Sequence, residues 1–191
     1  MSEAGEFHIY FTQPRGRRGS REALYEALAF YTGRAFTEPE IQKEKEGKPF
    51  FSDPFLPQFS ITHSGDYWMC VFGEQRVGID LQIHRACRTG AISKRFFAPE
   101  ERLMSEKSGY RDFFPIWAAK ESYIKYTGRG LSEKLSGFSV VNSGVISGEG
   151  LDLDIRPLRF LPGYSLCVCS EKTDRVFFTD IAALKPRAGG E

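Results

Sequence analysis

The chain has 191 residues, and 26 lysines or arginines against 25 aspartates or glutamates give it a formal net charge of +1. Because phosphate contacts usually leave a nucleic-acid-binding domain net basic, this balance excludes a globally basic nucleic-acid binder. The chain is long enough, at 41% hydrophobic residues, to bury a core without disulfides or structural metal. Its sequence has no run of about 18 apolar residues and no basic leader with a long apolar stretch, so we expect no membrane association.

Taken in chain order, the periodicity predicts three groups of elements. The first is a strand at 7–11, a helix at 21–32 capped by Ser20, hairpin-like strands at 58–63 and 67–72, and a strand at 76–82. A charged segment at 37–47 is expected to face solvent. Next come helices at 89–95, 99–107 and 115–126, and then strands at 138–141, 151–155, 164–169 and 176–181. Because strands come in neighbouring hairpins rather than alternating with helices, the order predicts an α+β fold.

The four cysteines indicate the redox environment. None of them has C-x-x-C spacing, and the single C-x-C lies in an alternating stretch, so zinc ligation is not predicted. They are Cys70, Cys87, Cys167 and Cys169. Free buried thiols are the expected state, and the protein is expected in a reducing cytoplasm.

The strand at 76–82 carries a candidate cation site. Period-two geometry sends its apolar residues to one face and Gly78, Asp80 and Gln82 to the other. A carboxylate and an amide oxygen two residues apart, beside a glycine, suit a hard cation such as Mg²⁺. From this segment alone, an aspartate in a turn or in solvent is the more ordinary interpretation.

The helix at 115–126 carries the second candidate site. Trp117, Glu121 and Lys125 stack at spacings of four, so Glu121 and Lys125 form either an ordinary surface ion pair or a carboxylate and an ammonium held side by side at a site. Spacing alone favours the surface pair. Trp117 on the same stripe indicates partial burial, which favours the site.

Several basic and polar residues are candidates for binding an anion. Arginines precede and begin the first predicted helix, where unpaired N–H groups and the helix dipole favour phosphate; they are Arg15, Arg17, Arg18 and Arg21. Lys48, in Gly47-Lys48-Pro49, either holds a phosphate or points into water. Thr62 and His63 lie at a strand end and suit donation to an anionic oxygen, although a histidine that caps a turn is an equal alternative.

In order and spacing, these segments resemble the 4′-phosphopantetheinyl transferases of the Sfp-type branch. The resemblance covers about residues 20–170 and rests on G-K-P at 47–49, F-S-I-T-H-S at 59–64, G-I-D-L-Q at 78–82, R-F-F at 95–97 followed by two glutamates, and W-A-A-K-E-S-Y-I-K at 117–125. Each motif is weak by itself. The W-x-x-K-E-x-x-x-K helix after a G-I-D strand is highly specific.

The resemblance implies an architecture and an activity. It implies two similar α/β halves related by a pseudo-twofold, at 1–83 and 84–191, with the active site at their interface. Enzymes of this family transfer the phosphopantetheine arm of coenzyme A to a serine of an acyl or peptidyl carrier protein, with Mg²⁺, and release adenosine 3′,5′-bisphosphate. Two fused halves that build one site make a monomer sufficient.

The resemblance also assigns roles to single residues of this chain. Asp80 and Glu121 correspond to the Mg²⁺ carboxylates, with Gln82 as a third ligand, and Glu121 is the expected base, acting directly or through a bound water. Lys125 and His63 complete the expected catalytic set. The residues expected to bind coenzyme A are Arg17, Arg18, Arg21, Lys48, Pro49, Thr62, His63, Lys120 and Lys125.

The sequence departs from the family pattern at one position. The family strand often reads G-I-D-x-E, whereas this chain has Gln82 in place of the second carboxylate. A neutral amide oxygen is a weaker ligand than a carboxylate, although water readily fills a Mg²⁺ position, so we expect weaker metal binding. The supporting acid after the R-F-F motif is Glu101 or Glu100.

The partner surface and two rival functions complete the expectations. Acidic carrier proteins call for a basic or apolar docking surface, for which the candidates are Lys94, Arg95, Phe96, Phe97 and Arg102; a packed phenylalanine pair with solvated arginines is the alternative.

The rival functions are an inactive module that binds coenzyme A or a carrier protein, favoured only by Gln82, and a Mg²⁺-dependent phosphohydrolase.

Overall fold

A computed structural model describes residues 5–13, 19–130 and 133–184. Four helices and eleven strands lie in these ranges. The helices are α1 (Ser20–Thr32), α2 (Thr89–Phe96), α3 (Pro99–Lys107) and α4 (Phe113–Thr127). The strands are β1 (Glu6–Thr12), β2 (Ile41–Lys43), β3 (Pro49–Phe51), β4 (Gln58–Ser64), β5 (Tyr67–Gly73), β6 (Val77–Ile83), β7 (Val141–Asn142), β8 (Val145–Ile146), β9 (Asp154–Leu158), β10 (Tyr164–Ser170) and β11 (Arg175–Asp180). This mixture confirms the predicted α+β class.

The first sheet has the strand order β11-β1-β5-β4 and packs one face against α1. Alternation along the strands buries Tyr10, Trp68 and Phe72 on this face, where they meet Leu24 and Leu28 of the helix. The predicted Ser20 cap is wrong: Gly19 is the N-cap, and the Ser20 hydroxyl instead accepts a hydrogen bond of 2.7 Å from the indole N–H of Trp68.

The second sheet, in the order β6-β10-β9, carries α4 on one face. Helix and strand are in close contact at Gly78, where a Cβ atom would lie 2.0 Å from the backbone oxygen of Ser122. Because only a glycine leaves this space, α4 lies directly on β6. The even-numbered side chains of β6, which include Asp80, therefore face the helix.

The two sheets pack against each other through a third apolar cluster and are joined at one seam by hydroxyl groups. Strands β4 and β6 run side by side in the same direction, and the hydroxyls of Ser60, Thr62 and Ser64 accept from the backbone N–H groups of Ile79, Leu81 and Ile83 at 3.2, 3.1 and 2.9 Å. Side chains of β4 thus satisfy the N–H groups at an edge of β6 that has no strand partner.

Three local differences separate the fold from the sequence-based expectations. The charged segment at 37–47 contains β2, which forms a small hairpin with β3. The strand expected at 151–155 begins at Asp154, because Asp152 has a positive φ of 53° and ends a short 3₁₀ turn. The segment expected at 138–141 contributes only the start of the β7–β8 hairpin. The longest of the described helices, α4, has 15 residues, so none of them meets the length and hydrophobicity of a membrane-spanning helix.

Candidate active site

The centre of the site is the carboxylate of Asp80, on β6, which is only 3% exposed. Its Oδ1 accepts from Lys125 Nζ at 2.7 Å and from the Thr62 hydroxyl at 3.2 Å, and its Oδ2 accepts from Gln82 Nε2 at 2.7 Å. The Thr62 oxygen also accepts from the N–H of Leu81, which leaves its single proton for Asp80. The Asp80 carboxyl group therefore accepts hydrogen bonds from three side-chain donors.

Glu121 lies on α4 one turn before Lys125 and adds a second carboxylate. Its pKa is raised, chiefly by burial and further by the nearby charge of Asp80, while Lys125 lowers it in part. Of the two interpretations of Glu121 and Lys125, the surface ion pair is not the one observed, because Lys125 forms its ion pair with the buried Asp80. Two carboxylates beside one ammonium leave excess negative charge, which is an arrangement that favours a bound cation.

The donor set fits Mg²⁺ with the help of water. Among the described residues, no three histidine, cysteine, aspartate or glutamate side chains group together to hold a metal ion. The oxygens of Asp80 and Glu121 and the amide oxygen of Gln82 are the hard ligands that Mg²⁺ takes, and this ion keeps several waters. Gln82 presents its nitrogen to Asp80, so its amide would have to turn over to offer the oxygen.

Two cavities adjoin these residues, and Ile124 lines both of them. One, of about 270 Å³, is lined by Lys125 and by Gly47, Lys48 and Pro49 from the turn between β2 and β3. The other, of about 360 Å³, is lined by Glu121, Arg95 and Phe96 and by the segment 133–136. The Lys125 ammonium is thus reached from the first cavity and the Glu121 carboxylate from the second, whereas Asp80 is buried behind them.

The structure does not bring His63 to this centre. Alternation along β4 turns Thr62 toward Asp80 and leaves His63 exposed on the opposite face. There His63 lines a separate cavity of about 250 Å³ with Gly19, Ser20 and Trp68 at the start of α1. Arg21 is exposed on the first turn of α1, while Arg17 and Arg18 lie outside the described residues.

Lys120 is buried away from the site, contrary to the expectation that it binds coenzyme A. Its side chain is 0% exposed, and its ammonium donates to both oxygens of Glu101 at 2.8 and 2.7 Å and to the carbonyl of Phe138 at 2.8 Å. Glu101 also accepts from the N–H groups of Ala98 and Val140. The ammonium has no direction left in which to meet a ligand, and Glu101, rather than the exposed Glu100, is the buried acid.

The candidate docking surface is only partly exposed. Lys94 and Arg95 are exposed on α2, and Phe96 is half-buried. Phe97 is buried and stacks on Phe113 at a ring-centroid distance of 5.4 Å, so it belongs to the core and not to a docking surface.

Sequence reasoning missed two charged residues beside the site. Glu44 lies in the charged segment expected to face solvent and Arg76 begins the strand expected at 76–82, yet the two form a bidentate ion pair of 2.6 and 2.7 Å against the end of α4. Their spacing of 32 residues carries no local signal. They meet because the turn between β2 and β3, which contains Glu44, and Arg76, just before β6, both lie at the end of α4.

The fold and the site define an α+β protein with a paired-carboxylate, cation-attracting centre between a strand and a helix. Residues 76–169 match the family model of the 4′-phosphopantetheinyl transferase superfamily. The chain is 36% identical to the 4′-phosphopantetheinyl transferase Sfp of Bacillus subtilis over 141 residues, covering 69% of this chain and 62% of that protein. It is 31% identical to the 4′-phosphopantetheinyl transferase HetI of Nostoc over 143 residues, covering 70% and 60%.

The chain belongs to the 4′-phosphopantetheinyl transferase superfamily and to its Sfp-type branch. It spans about 60% of the length of these curated relatives. The matched segment contains Asp80, Glu121 and Lys125.

Proposed function

We propose that this protein transfers the 4′-phosphopantetheine group from coenzyme A to a serine of an acyl or peptidyl carrier protein, releasing adenosine 3′,5′-bisphosphate. The observation that carries the proposal is the placement of Asp80, Glu121 and Lys125 together beside two cavities, within the segment that matches the superfamily. The reaction needs neutralised phosphates, a deprotonated serine and a stabilised leaving group, and this site offers groups for each.

Asp80, Glu121 and the amide oxygen of Gln82 would hold Mg²⁺. When bound, the ion would supply positive charge to the pyrophosphate of coenzyme A. The proposed role of Lys125 is to donate to the phosphate oxygens from its position on Asp80, 2.7 Å away. Glu121 is the proposed acceptor of the serine proton, because a carboxylate with a raised pKa is a stronger base.

We extend the proposal to the coenzyme A contacts, which would lie in two separate cavities. Pro49, beside Lys48, lines the cavity that contains Lys125 and is proposed to contact the adenylate part. His63, which lines the cavity at the start of α1, and Arg21, exposed on the first turn of α1, are proposed to bind phosphate groups. Arg17 and Arg18, which lie outside the described residues, are proposed as further phosphate ligands.

We also propose the organisation and setting of the enzyme. The proposed arrangement is two halves related by a pseudo-twofold, at 1–83 and 84–191, with the site at their junction; the close contact of β6 with α4 supports it. The strand β11 returns to pair with β1, so the sheets do not follow this division strictly. A monomer in the cytoplasm would suffice, without nucleic-acid or membrane partners.

The proposed function predicts a mass gain on a carrier protein. Incubation with coenzyme A, Mg²⁺ and an apo carrier protein should add phosphopantetheine to the carrier serine, as measured by intact-protein mass spectrometry. A carrier with that serine replaced by alanine is the control. Free product without carrier labelling would favour a phosphohydrolase, and binding of coenzyme A without either outcome would favour an inactive module; both results contradict the transferase.

Gln82→Glu is expected to strengthen Mg²⁺ binding, because a carboxylate replaces a neutral amide whose nitrogen now faces Asp80. The Mg²⁺ concentration for half-maximal transfer should fall by about tenfold, corresponding to roughly 1.4 kcal/mol. Isothermal titration of the free enzyme with Mg²⁺ measures the same change without turnover. Equal Mg²⁺ dependence in the two proteins would contradict this prediction.

A further inference from the structure

The end of α4 is held by cationic side chains from distant parts of the chain. Lys48 Nζ donates to the carbonyl of Lys125, and Arg76 donates to the carbonyls of Tyr126 and Thr127, the latter at 3.1 Å. These carbonyls belong to the last turn, where a helix leaves acceptors unpaired and carries partial negative charge. Three successive acceptors are thereby satisfied by two cations.

The two cations and Glu44 are arranged as one unit around Gly128. Glu44 fixes the guanidinium of Arg76 through a bidentate pair, and the same pair lowers the pKa of Glu44 and raises that of Arg76. Gly128 has a positive φ of 78°, and a Cβ atom there would lie 2.8 Å from Glu44, 3.0 Å from Arg76 and 3.1 Å from Lys48. All three side chains therefore converge on the residue that ends α4.

Lys48 is a buried lysine whose ammonium group needs hydrogen-bond acceptors inside the protein. Its side chain is buried, with the residue 7% exposed, and the ammonium donates to two carbonyls, those of Lys125 and Val77, the latter at 2.8 Å. Burial and the nearby charge of Arg76 lower its pKa to about 7. Strand β6, which carries Asp80, begins at Val77. Lys48 therefore connects the start of this strand to the last turn of α4, which carries Lys125.

We propose that Glu44, Lys48 and Arg76 form a clamp that positions Lys125 against Asp80 by fixing the last turn of α4 on β6. None of the three touches Asp80 or Glu121 in the described structure, so they are positioning residues. The clamp assigns Lys48 an internal role in place of the expected phosphate contact. Its effect on turnover rests on the proposed transferase activity, whereas its effect on Lys125 does not.

The test measures the placement of Lys125 directly. Pulse acetylation of the free protein with acetic anhydride, read by peptide mass spectrometry, should modify Lys125 slowly in wild type, because its ammonium is ion-paired and its side chain is 29% exposed. In Arg76→Met the rate at Lys125 should rise roughly threefold or more, as the last turn opens more often. Lys172, on the exposed Lys172–Asp174 pair, is the internal standard.

Two further variants keep the test decisive. Glu44→Gln keeps Arg76 in place but weakens the bidentate pair, so the acetylation rate at Lys125 should rise less than in Arg76→Met. If Arg76→Met does not fold, Glu44→Gln provides the test. Arg156→Met, which removes a half-buried ion pair with Asp154 on β9, should leave Lys125 labelling unchanged. Unchanged labelling of Lys125 in the folded clamp variants would overturn the proposal.

Comparison of kcat with KM distinguishes a positioning role of the clamp from direct binding of the substrate. In Arg76→Met, kcat should fall by about tenfold or more with KM for coenzyme A within about twofold of wild type, since misplacement of a reacting group affects the transition state. A raised KM with unchanged kcat would overturn the clamp in favour of a ligand contact, and raised labelling with unchanged kcat would overturn its role in the reaction. A wild-type protein without transferase activity would refute the proposed function, while the labelling result would still decide the clamp.

Discussion

Glu121→Gln is expected to abolish transfer and to leave the fold intact. The substitution keeps the shape of the side chain but removes the proposed base and one of the two carboxylates for the cation. Loss of general-base catalysis alone lowers kcat by about 10²–10⁴-fold. The measurement is kcat for phosphopantetheine transfer to a carrier protein at saturating coenzyme A. The shorter Glu121→Ala should give the same loss.

Stability distinguishes this loss from unfolding. Because burial and Asp80 raise the pKa of Glu121 above 4.5, the folded state binds its proton more tightly than the unfolded chain does. The carboxyl therefore costs stability once pH rises above about 4.5 and through the raised pKa of the folded state. Glu121→Gln should be at least as stable as wild type at neutral pH, measured by urea denaturation.

The matched control is Glu133→Gln. Glu133 lines the same cavity as Glu121, but its carboxylate pairs with Arg129 four residues earlier. This variant should retain activity close to wild type. Retained turnover in Glu121→Gln, or an equal loss in both variants, would remove Glu121 from the proposed mechanism.

Lys120→Met is expected to lower the free energy of unfolding by about 3–5 kcal/mol, because it leaves a fully buried glutamate without its counter-charge. Glu101 would keep only the N–H groups of Ala98 and Val140 as partners. The segment at 138–140 would also lose the hydrogen bond that the Lys120 ammonium donates to the carbonyl of Phe138. Urea denaturation monitored by tryptophan fluorescence measures the change.

Two variants test the cause of that destabilisation. The double substitution Glu101→Gln with Lys120→Met removes both charges and should recover part of the loss, whereas Lys172→Met, on an exposed pair, should change stability by less than about 1 kcal/mol. If Lys120 instead contacted coenzyme A, Lys120→Met would raise KM and leave the unfolding midpoint unchanged. That result would contradict the structural role.

The residues on each face of β6 and α4 could be predicted, because both depend on local periodicity. Alternation alone placed Asp80 opposite the apolar residues of its strand, and a spacing of four aligned Glu121 with Lys125. Local turn chemistry also located most helix and strand ends within two residues. These features follow from backbone geometry, which nearby residues set by themselves.

Partners far apart in the chain could not be predicted in the same way. The spacing of four suggested a pair between Glu121 and Lys125, yet Lys125 pairs with Asp80, 45 residues away. Lys120 stands next to Glu121 in a motif that suggests one shared role, but a helix turns by about 100° per residue, so adjacent side chains face different surroundings. One enters the core and the other faces a cavity.

The sequence by itself therefore determined the α+β class, the order of the longer helices and strands and the set of side chains able to neutralise phosphates, since periodicity and turn chemistry depend on neighbouring residues. The tertiary structure decided which of those side chains meet. The approach of α4 to β6 at Gly78 brings Lys125 to Asp80, and the β2–β3 turn brings Lys48 and Glu44 to the end of α4. Burial then decides the role of Lys48 and Lys120, because a buried ammonium group must donate its hydrogen bonds to acceptors inside the protein.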